Sequence, residues 1–441
     1  MINIVKPTKE KVESKGGLIL IGKIAAIAGL QNIKSNIVKN AGNIITSLFG
    51  NMTEGKTDFE SIGKNRGESF FKEALDLAFV YAKETVRIYL VKMSIEVELI
   101  ISQLRETSIK IIQNGPLHGI WINSIQYLPI DMDTTALDNS KTKKEGVSRT
   151  YKGYDGYHPQ MAYVGKEGYI LDCELRPGSH HCQNGAVAFI KGLIKLLGKL
   201  KAFKRYLFRM DSGNDSFETI KTIIEAGKKF YFIIKRNKRQ ESDELWLERA
   251  KKWGKSTVLR EGKKVWIGIA ENIHPFKKDE MLENVKCVFE IIERKTDHMG
   301  NQFLIPEPEI NLWWTNLDCD AEKVIQLYHD HATSEQFHGE LKHDMGVERL
   351  PSGKMNVNKI IFAIAMNAYN ALKVIGQMAI EAIGIKRFKR KRLGKVIIDL
   401  ICVAGKLVRH ARSKIFLIYE YDPVYPIFEQ INNTLNCLQL G

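Results

Sequence analysis

The stretch RYLFRMDSGNDSFETIKTIIEAGKKFYFIIKRN, residues 205–237, sets the fold class of this chain. A short apolar run ends at Asp211, and a second run rich in β-branched and aromatic residues, KFYFIIKRN, closes the stretch. Between them, a segment that starts from polar residues has the apolar spacing of an amphipathic helix. The order of strand, helix and strand predicts an α/β unit.

The residues before this stretch predict more of the same sheet. GIWINSIQYLPIDMDTT (119–135) alternates as a strand does, and YKGYDGYHPQMAYVGKEGYILDCEL (151–175) is typical of a hairpin of two strands. NGAVAFIKGLIKLLGKLKAF (184–203) has the pattern of an amphipathic helix with a lysine face. The order of strand, hairpin, helix, strand, helix and strand indicates an α/β domain built on a mixed sheet.

The pattern changes between residues 238 and 308. STVLREGKKVWIGIAENI and KCVFEIIERKTDHMGNQFLI indicate hairpins with glycine turns, so we expect a β-rich insertion that projects from the core. EINLWWTNL (309–317) then predicts a strand, and residues 320–346 predict a helix that is broken near Thr333. Residues 1–122 and 351–441 are predicted to be mostly helical flanking regions.

The composition favours a globular protein with a polyanionic partner. The 441 residues are 44% hydrophobic, and Lys and Arg exceed Asp and Glu by 66 to 51, a formal net charge of +15. Such a charge indicates nucleic acid first and an acidic membrane surface second, and a merely basic soluble protein is the simpler alternative. The runs IKRNKR (234–239), which contains Lys235 and Arg236, and KRFKRKR (386–392) are candidates for phosphate contact or for solvated loops.

The six cysteines are scattered and form no C-x-x-C pair, which fits a reducing cytoplasm. Histidines cluster between residues 329 and 343 and in the run His180-His181-Cys182, but zinc binding is not favoured without paired cysteines or an H-E-x-x-H arrangement. The start MINIVKPTKEK lacks the apolar core of a signal peptide. The apolar stretch 360–385 is broken by Asn367, Asn370, Lys373 and Glu381, which predicts a buried helix and no membrane span.

Two aspartates close apparent strands, and a glutamate lies on a helix further along the chain. Asp133 ends one strand, Asp211 ends another, and Glu335 follows the insertion. Asp131 lies two residues before Asp133 and faces the same side of its strand, so spacing alone does not choose between them. Three carboxylates suit two hard divalent cations, which clamp the oxygens of a phosphodiester, although strand-end aspartates also commonly cap turns.

The helix of Glu335 carries three further polar residues on one face. Tyr328, His331 and Lys342 lie at offsets of −7, −4 and +7 from Glu335, all near the same helical side. On a phosphodiester substrate, the carboxylate can hold metal while Tyr328 and Lys342 hold backbone phosphates. A solvated polar face is the alternative interpretation of this spacing.

This ordered set resembles the DDE transposases of bacterial insertion sequences. Their third carboxylate lies in a Tyr-x2-Arg-x3-Glu-x6-Lys signature, and this chain has His331 at the arginine position. The family's first aspartate is followed by Ser, Thr or Gly and then Thr, which selects Asp133 over Asp131. Histidine lacks the permanent charge and the two-pronged donor geometry of arginine, so the resemblance is incomplete at this position.

The resemblance implies an RNase H-like mixed-sheet core, residues 123–237 and 309–350, with a β-rich insertion and helical flanks. It implies two Mg²⁺ or Mn²⁺ ions held by Asp133, Asp211 and Glu335. It also implies a DNA transposase that cuts at terminal inverted repeats, transfers the 3′-OH into target DNA, and acts as a homodimer in the synaptic complex. The residues expected at the double-stranded DNA are Tyr328, His331, Lys342, Lys235 and Arg236.

Two rival functions stay open. One is a metal-dependent nuclease of the same fold without strand transfer. The other is a catalytically decayed, DNA-binding relative, which the substitution at His331 keeps in view. Metal-dependent joining of a pre-cut end to plasmid DNA separates these possibilities. In each case we expect a cytoplasmic protein with DNA as its partner and no membrane.

Overall fold

The computed structural model describes residues 11–201, 203–260, 262–277, 280–296, 302–385, 387–411 and 413–440. Its N-terminal part is helical, as the apolar spacing predicts. The helices there are α1 (Leu18–Ala28), α2 (Ala41–Thr53), α3 (Phe59–Asn65), α4 (Ser69–Ala74), α5 (Lys83–Met93) and α6 (Val97–Gln113). The chain turns after α4 through Asp76, whose φ of 49° lies in the left-handed region.

The elements of the central sheet follow one another along the chain in the order that the sequence predicts. Its elements, with three short strands beside it, are β1 (Ile120–Ile122), β2 (Ile125–Thr134), β3 (Leu137–Asp138), β4 (Ser148–Arg149), β5 (Asp155–Tyr157), β6 (Gln160–Val164), β7 (Tyr169–Glu174), α7 (Ala186–Leu200), β8 (Tyr206–Met210), α8 (Phe217–Glu225) and β9 (Phe230–Arg236). The strand order is β7-β6-β2-β8-β9. Strands β2, β8 and β9 are parallel, and the β6–β7 hairpin is antiparallel to β2. This topology is that of an RNase H-like core, so the predicted fold class is confirmed.

The segment between β9 and the Glu335 helix is mainly antiparallel strands. Its elements are α9 (Asp243–Trp253), β10 (Gly254–Arg260), β11 (Lys263–Ala270), β12 (Phe276–Lys277), β13 (Glu280–Met281), β14 (Lys286–Thr296) and β15 (Gln302–Thr315). The long strand β15 pairs with β14 along most of its length and with β9 at its end. The insertion therefore continues the central sheet instead of projecting from it, and Trp246 and Phe289 belong to the main hydrophobic core.

The Glu335 helix is built from several short helical pieces. It runs from α10 (Ala321–His329) through a 3₁₀ turn (Asp330–Ala332) and α11 (Thr333–Gly339) into a π-helical turn (Glu340–Asp344). The 3₁₀ turn lies at the break that the sequence predicts near Thr333. Short π-helical turns inside helices occur frequently at functional sites.

The C-terminal part is mostly helical. It contains α12 (Met355–Ala382), α13 (Leu393–Val396), a π-helical turn (Ile397–Ile401), β16 (Lys406–His410), β17 (Ser413–Leu417) and α14 (Tyr425–Leu440). The β16–β17 hairpin was not predicted. Helix α12 is long and apolar enough to cross a membrane, yet its apolar window is wholly buried, and it packs on α6, α2 and β7 as a core helix does.

Candidate active site

Asp133 and Asp211 lie side by side at the carboxyl ends of two neighbouring parallel strands. The β2–β8 register pairs Asp131 with Arg209 and Met132 with Met210. The next step along both strands brings Asp133 level with Asp211. Both aspartates line one cleft of about 460 Å³. Open α/β sheets place their functional sites at this end of their strands.

Asp133 is held in its ionised form by hydrogen bonds. One carboxylate oxygen accepts the backbone N–H of Thr134 at 2.7 Å. The other accepts from Ser334 Oγ at 3.0 Å and from His338 Nε2 at 3.1 Å. Burial opposes ionisation, but the hydrogen bond and charge of His338 outweigh it, so the pKa of Asp133 lies below its usual value.

The carboxylate of Asp211 is repelled by the negative charge of the neighbouring Asp133. Its Oδ1 accepts a hydrogen bond from Asn214 Nδ2 at 2.9 Å. Burial, and then the negative charge of Asp133, raise the pKa of Asp211. Two adjacent, half-desolvated carboxylates with opposite pKa shifts are stabilised by a bound cation, and oxygen ligands favour a hard divalent ion. The residues of this pair therefore fit a metal of the expected kind.

Glu335 lies on α11 and is exposed to solvent, and it is not among the residues that line the cleft. Burial, and then the charges of Asp133, Tyr154, Asp211 and Glu335, raise the pKa of Tyr151 to about 12. All three carboxylates thus lie within electrostatic range of one side chain. In the described part of the chain, no group of three or more His, Cys, Asp and Glu side chains lies close enough together to hold a metal ion, so Glu335 does not join the aspartate pair in a preformed metal site.

Asp131 has a different role from Asp133. Its carboxylate receives both Nε and Nη2 of Arg209, at 2.6 and 2.7 Å, and also His331 Nδ1 at 3.0 Å. Asp131 is 2% exposed, and Arg209 and His331 are buried as well. The ion pair and the histidine hold the pKa of Asp131 below its usual value in spite of burial. Both oxygens of this carboxylate are therefore paired with buried side chains of the protein.

Tyr328 and Lys342 flank the carboxylates. Tyr328 is half-buried against Trp313, with ring centroids 5.6 Å apart, and burial followed by the charges of Asp211 and Asp133 raises its pKa. Lys342 Nζ donates to the carbonyl oxygen of Ala136 at 2.6 Å. Burial, and then the charge of Lys152, lower the pKa of Lys342 to about 8. The charge of Asp133 contributes to the pKa shifts of both side chains, so both lie within electrostatic range of this carboxylate.

Two of the expected DNA contacts are buried instead. His331 is 6% exposed and its Nδ1 is bound to Asp131, which differs from the expectation that it faces a DNA phosphate. Arg236 is also buried, because its Nη1 lies 2.6 Å from Glu241 and its guanidinium stacks 4.9 Å from the ring of Trp314. Lys235 points to the other face of β9 and is partly exposed.

The structure adds residues that the sequence analysis did not single out. His338 belongs to the histidine cluster, but it joins Tyr163 to Asp133, with the Tyr163 hydroxyl 2.9 Å from His338 Nδ1. Its signal in the sequence is the spacing Ser334-x3-His338, which places both on one helical face one turn apart. The remaining wall of the cleft contains Arg149, Tyr151, His158, His180, His181 and Cys182. The run His180-His181-Cys182 is visible in the sequence as a cluster of possible ligands, but nothing in the spacing of Arg149, Tyr151 and His158 marks them, because only the fold brings these segments together.

An RNase H-like sheet with two aspartates at adjacent strand ends is the arrangement of a DDE-type transposase domain. The family described as Transposase DDE domain group 1 matches residues 104–440, and the chain belongs to this family. No curated protein matches this sequence. A solved structure, a cryo-EM structure of the piggyBac transposase synaptic complex with hairpin DNA, is similar at 11% identity and a TM-score of 0.41, covering 87% of this chain and 76% of that chain.

Proposed function

We propose that this protein is a DNA transposase that cleaves DNA at terminal inverted repeats and transfers the resulting 3′-OH into target DNA. The observation that carries the proposal is the aspartate pair, Asp133 and Asp211, on adjacent strand ends, beside the helix of Glu335, whose residues Ser334 and His338 hydrogen-bond to Asp133. Membership of the transposase family supports DNA as the substrate. The net charge of +15 supports a polyanionic partner.

Asp133, Asp211 and Glu335 would hold the two Mg²⁺ or Mn²⁺ ions. Bound there, the metal would supply charge stabilisation for the attacking and leaving oxygens of the phosphodiester. The protein's own residues fix the geometry: Ser334 and His338 orient the Asp133 carboxylate, and Asn214 orients that of Asp211.

Tyr328, Lys342 and Lys235 are proposed to contact the DNA backbone beside the carboxylates. Tyr328 and Lys342 feel the charge of Asp133, and Lys235 presents a partly exposed ammonium on β9. We further propose that residues 1–122 bind the DNA ends, that residues 351–441 contact DNA or a second copy, and that the protein acts as a cytoplasmic homodimer in its synaptic complex.

The test is cleavage and strand transfer with DNA that carries the element's own ends, with and without Mg²⁺. Asp133→Asn, Asp211→Asn and Glu335→Gln should each reduce cleavage by about 10³-fold, because loss of a metal ligand removes several kcal/mol of transition-state stabilisation. Asp330→Asn, an exposed acid on the same helix as Glu335, is the matched control and should retain activity. Activity in the three variants at the level of Asp330→Asn would refute the proposed site.

The same assay decides between the proposal and its rivals. Cleavage without joining of the 3′-OH to plasmid DNA would identify a nuclease. End binding that needs no metal and leads to no cleavage would identify a decayed DNA-binding relative.

A further inference from the structure

A closed polar network lies directly behind the carboxylates. Arg209 binds both oxygens of Asp131, at 2.6 and 2.7 Å, and its Nη1 donates to the carbonyl oxygen of Leu327 at 2.8 Å. His331 Nδ1 donates to Asp131 Oδ1 at 3.0 Å. Strand β2, strand β8 and the helix of Glu335 are therefore joined at one buried point. We call Asp131, Arg209 and His331 the buried triad.

Each member of the buried triad precedes one proposed metal ligand by a fixed structural step. Asp131 lies two residues before Asp133, and Arg209 lies two residues before Asp211. A step of two residues along a strand returns to the same face of the sheet. His331 lies four residues before Glu335, about one helical turn away. The network thus repeats the arrangement of the three carboxylates one layer deeper in the protein.

Stability alone does not explain this network. Desolvation of buried ion pairs offsets much of their attraction, and well-packed apolar residues of similar volume often replace them without loss of stability. What the polar network adds is direction, because a bidentate guanidinium and a ring N–H fix both distance and angle. Side chains that ligate metals depend on such supporting hydrogen bonds for their orientation.

We propose that Asp131, Arg209 and His331 are positioning residues that set the mutual geometry of Asp133, Asp211 and Glu335. This inference rests on the proposed metal-binding role of those three carboxylates. It also gives the histidine at the signature's arginine position a purpose. The guanidinium on Asp131 comes from Arg209 of β8, and His331 supplies the third, helix-borne donor.

The test uses isosteric replacements of His331. Asparagine places its amide N–H near the position of Nδ1, glutamine places it near Nε2, and alanine offers no donor. Binding of Mn²⁺, measured by electron paramagnetic resonance, and the Mg²⁺ concentration for half-maximal cleavage are compared with the melting temperature and the affinity for end DNA. We expect metal affinity to fall about 10- to 100-fold in His331→Ala, less in His331→Gln and least in His331→Asn, with DNA affinity unchanged.

Two further variants keep the test decisive if His331→Ala folds poorly. The apolar triple replacement Asp131→Leu/Arg209→Met/His331→Leu should fold, but its affinity for the metal should remain lower than that of the wild type. Arg205→Met is the matched control, since Arg205 also joins β8 to β2, through the Tyr127 hydroxyl at 2.9 Å, but at the opposite strand end. It should leave metal affinity unchanged.

Each outcome has a defined meaning. Wild-type metal affinity in His331→Ala or in the apolar variant would overturn the positioning role and leave the proposed function standing. An equal loss in Arg205→Met would also overturn it, because the effect would be one of general stability. Metal binding and cleavage that survive in Asp133→Asn would overturn the proposed function itself, and this inference with it.

Discussion

Glu340 is the residue whose loss should most weaken the attachment of the Glu335 helix to the rest of the protein. It begins the π-helical turn that follows α11 and is 2% exposed. Its Oε2 accepts Lys373 Nζ of α12 at 2.8 Å and the backbone N–H of Leu393 at 3.3 Å, and its Oε1 pairs with Arg390. The change Glu340→Gln keeps the shape of the side chain and removes its charge.

The expected cost follows from what remains buried. Removing one partner of a buried ion pair costs about 3–5 kcal/mol, because the other charge stays desolvated and unpaired. Lys373 is fully buried, and burial lowers its pKa to about 7, with Glu340 opposing this fall and Arg390 adding to it. Without Glu340, the pKa of Lys373 falls further. We therefore expect the free energy of unfolding to drop by about 1–3 kcal/mol at pH 6, because release of the Lys373 proton caps the cost of its unpaired charge at about 1.4 kcal/mol for each pH unit below 7.

The pH dependence has a definite sign. A lysine whose pKa is depressed in the folded state loses stability as pH falls through that pKa, since the unfolded state then binds the proton more readily. Below the depressed pKa of the variant, Lys373 is charged in both proteins and the difference is largest. Above pH 7, Lys373 is mostly neutral in both, so the destabilisation should be smaller at pH 8.5 than at pH 6.

Urea unfolding followed by circular dichroism at pH 6 and pH 8.5 measures both quantities. Glu106→Gln, which removes one partner of the surface pair with Lys199, is the control and should cost less than about 1 kcal/mol. Lys373→Met should cost less than Glu340→Gln, because Glu340 keeps Arg390. A loss below about 1 kcal/mol for Glu340→Gln, or a larger loss at pH 8.5, would refute this reasoning.

Two more predictions concern the same helix. The hydrogen bond and charge of Asp131 raise the pKa of His331 in spite of burial, so His331→Ala should destabilise the protein most below about pH 6.5 and less as pH rises through the raised pKa. Thermal unfolding measures this loss of stability, with His343→Ala at an exposed site as the control. An equal loss at pH 6 and pH 9 would contradict the prediction. The pKa of Lys342 is about 8, so the affinity of the wild type for end DNA should fall between pH 7 and pH 9 as this lysine loses its charge. Lys342→Met should weaken binding at pH 7 and make the affinity less dependent on pH. The same pH profile in both proteins would exclude Lys342 from the DNA interface.

The strands and their terminal aspartates are readable from the sequence because each carries its own local signal. An apolar run that ends in Asp133 or Asp211 needs no distant information to be recognised as a strand end. The parallel pairing of β2 with β8 then fixes the neighbours, and the register brings the two carboxylates together. The order of strands and helices along the chain was predictable for the same reason.

The exposure of the charged residues was not predictable in this way. Arg236 has the same local signal as Lys235, one residue away, but Glu241, Trp246 and Trp314 bury it. Trp314, one of the residues that bury Arg236, lies 78 positions later in the chain. A basic run therefore indicates charge without indicating which side chains reach solvent.

The insertion shows a similar limit. Alternation identifies the hairpins of β10, β11, β14 and β15, but it carries no information about which other strand each edge meets. Strand β15 is 14 residues long, and its last four residues pair with β9. The additional residues of β15 extend the central sheet. The sequence pattern divides this one strand between the insertion, which is predicted to end at residue 308, and the predicted strand 309–317.

In the proposed site, strand β2 would divide two identical side chains between two roles, a structural one for Asp131 and a metal-binding one for Asp133. Both point to the same face, so the choice depends on what lies beside each on the neighbouring strand. Asp131 is level with Arg209, whose guanidinium uses both of its oxygens, whereas Asp133 is level with Asp211, another acid. A cation at the same register commits a buried carboxylate to the fold, and a like charge leaves it in need of a metal. The residue types of β8 at positions 209 and 211 therefore assign the roles of β2 at positions 131 and 133.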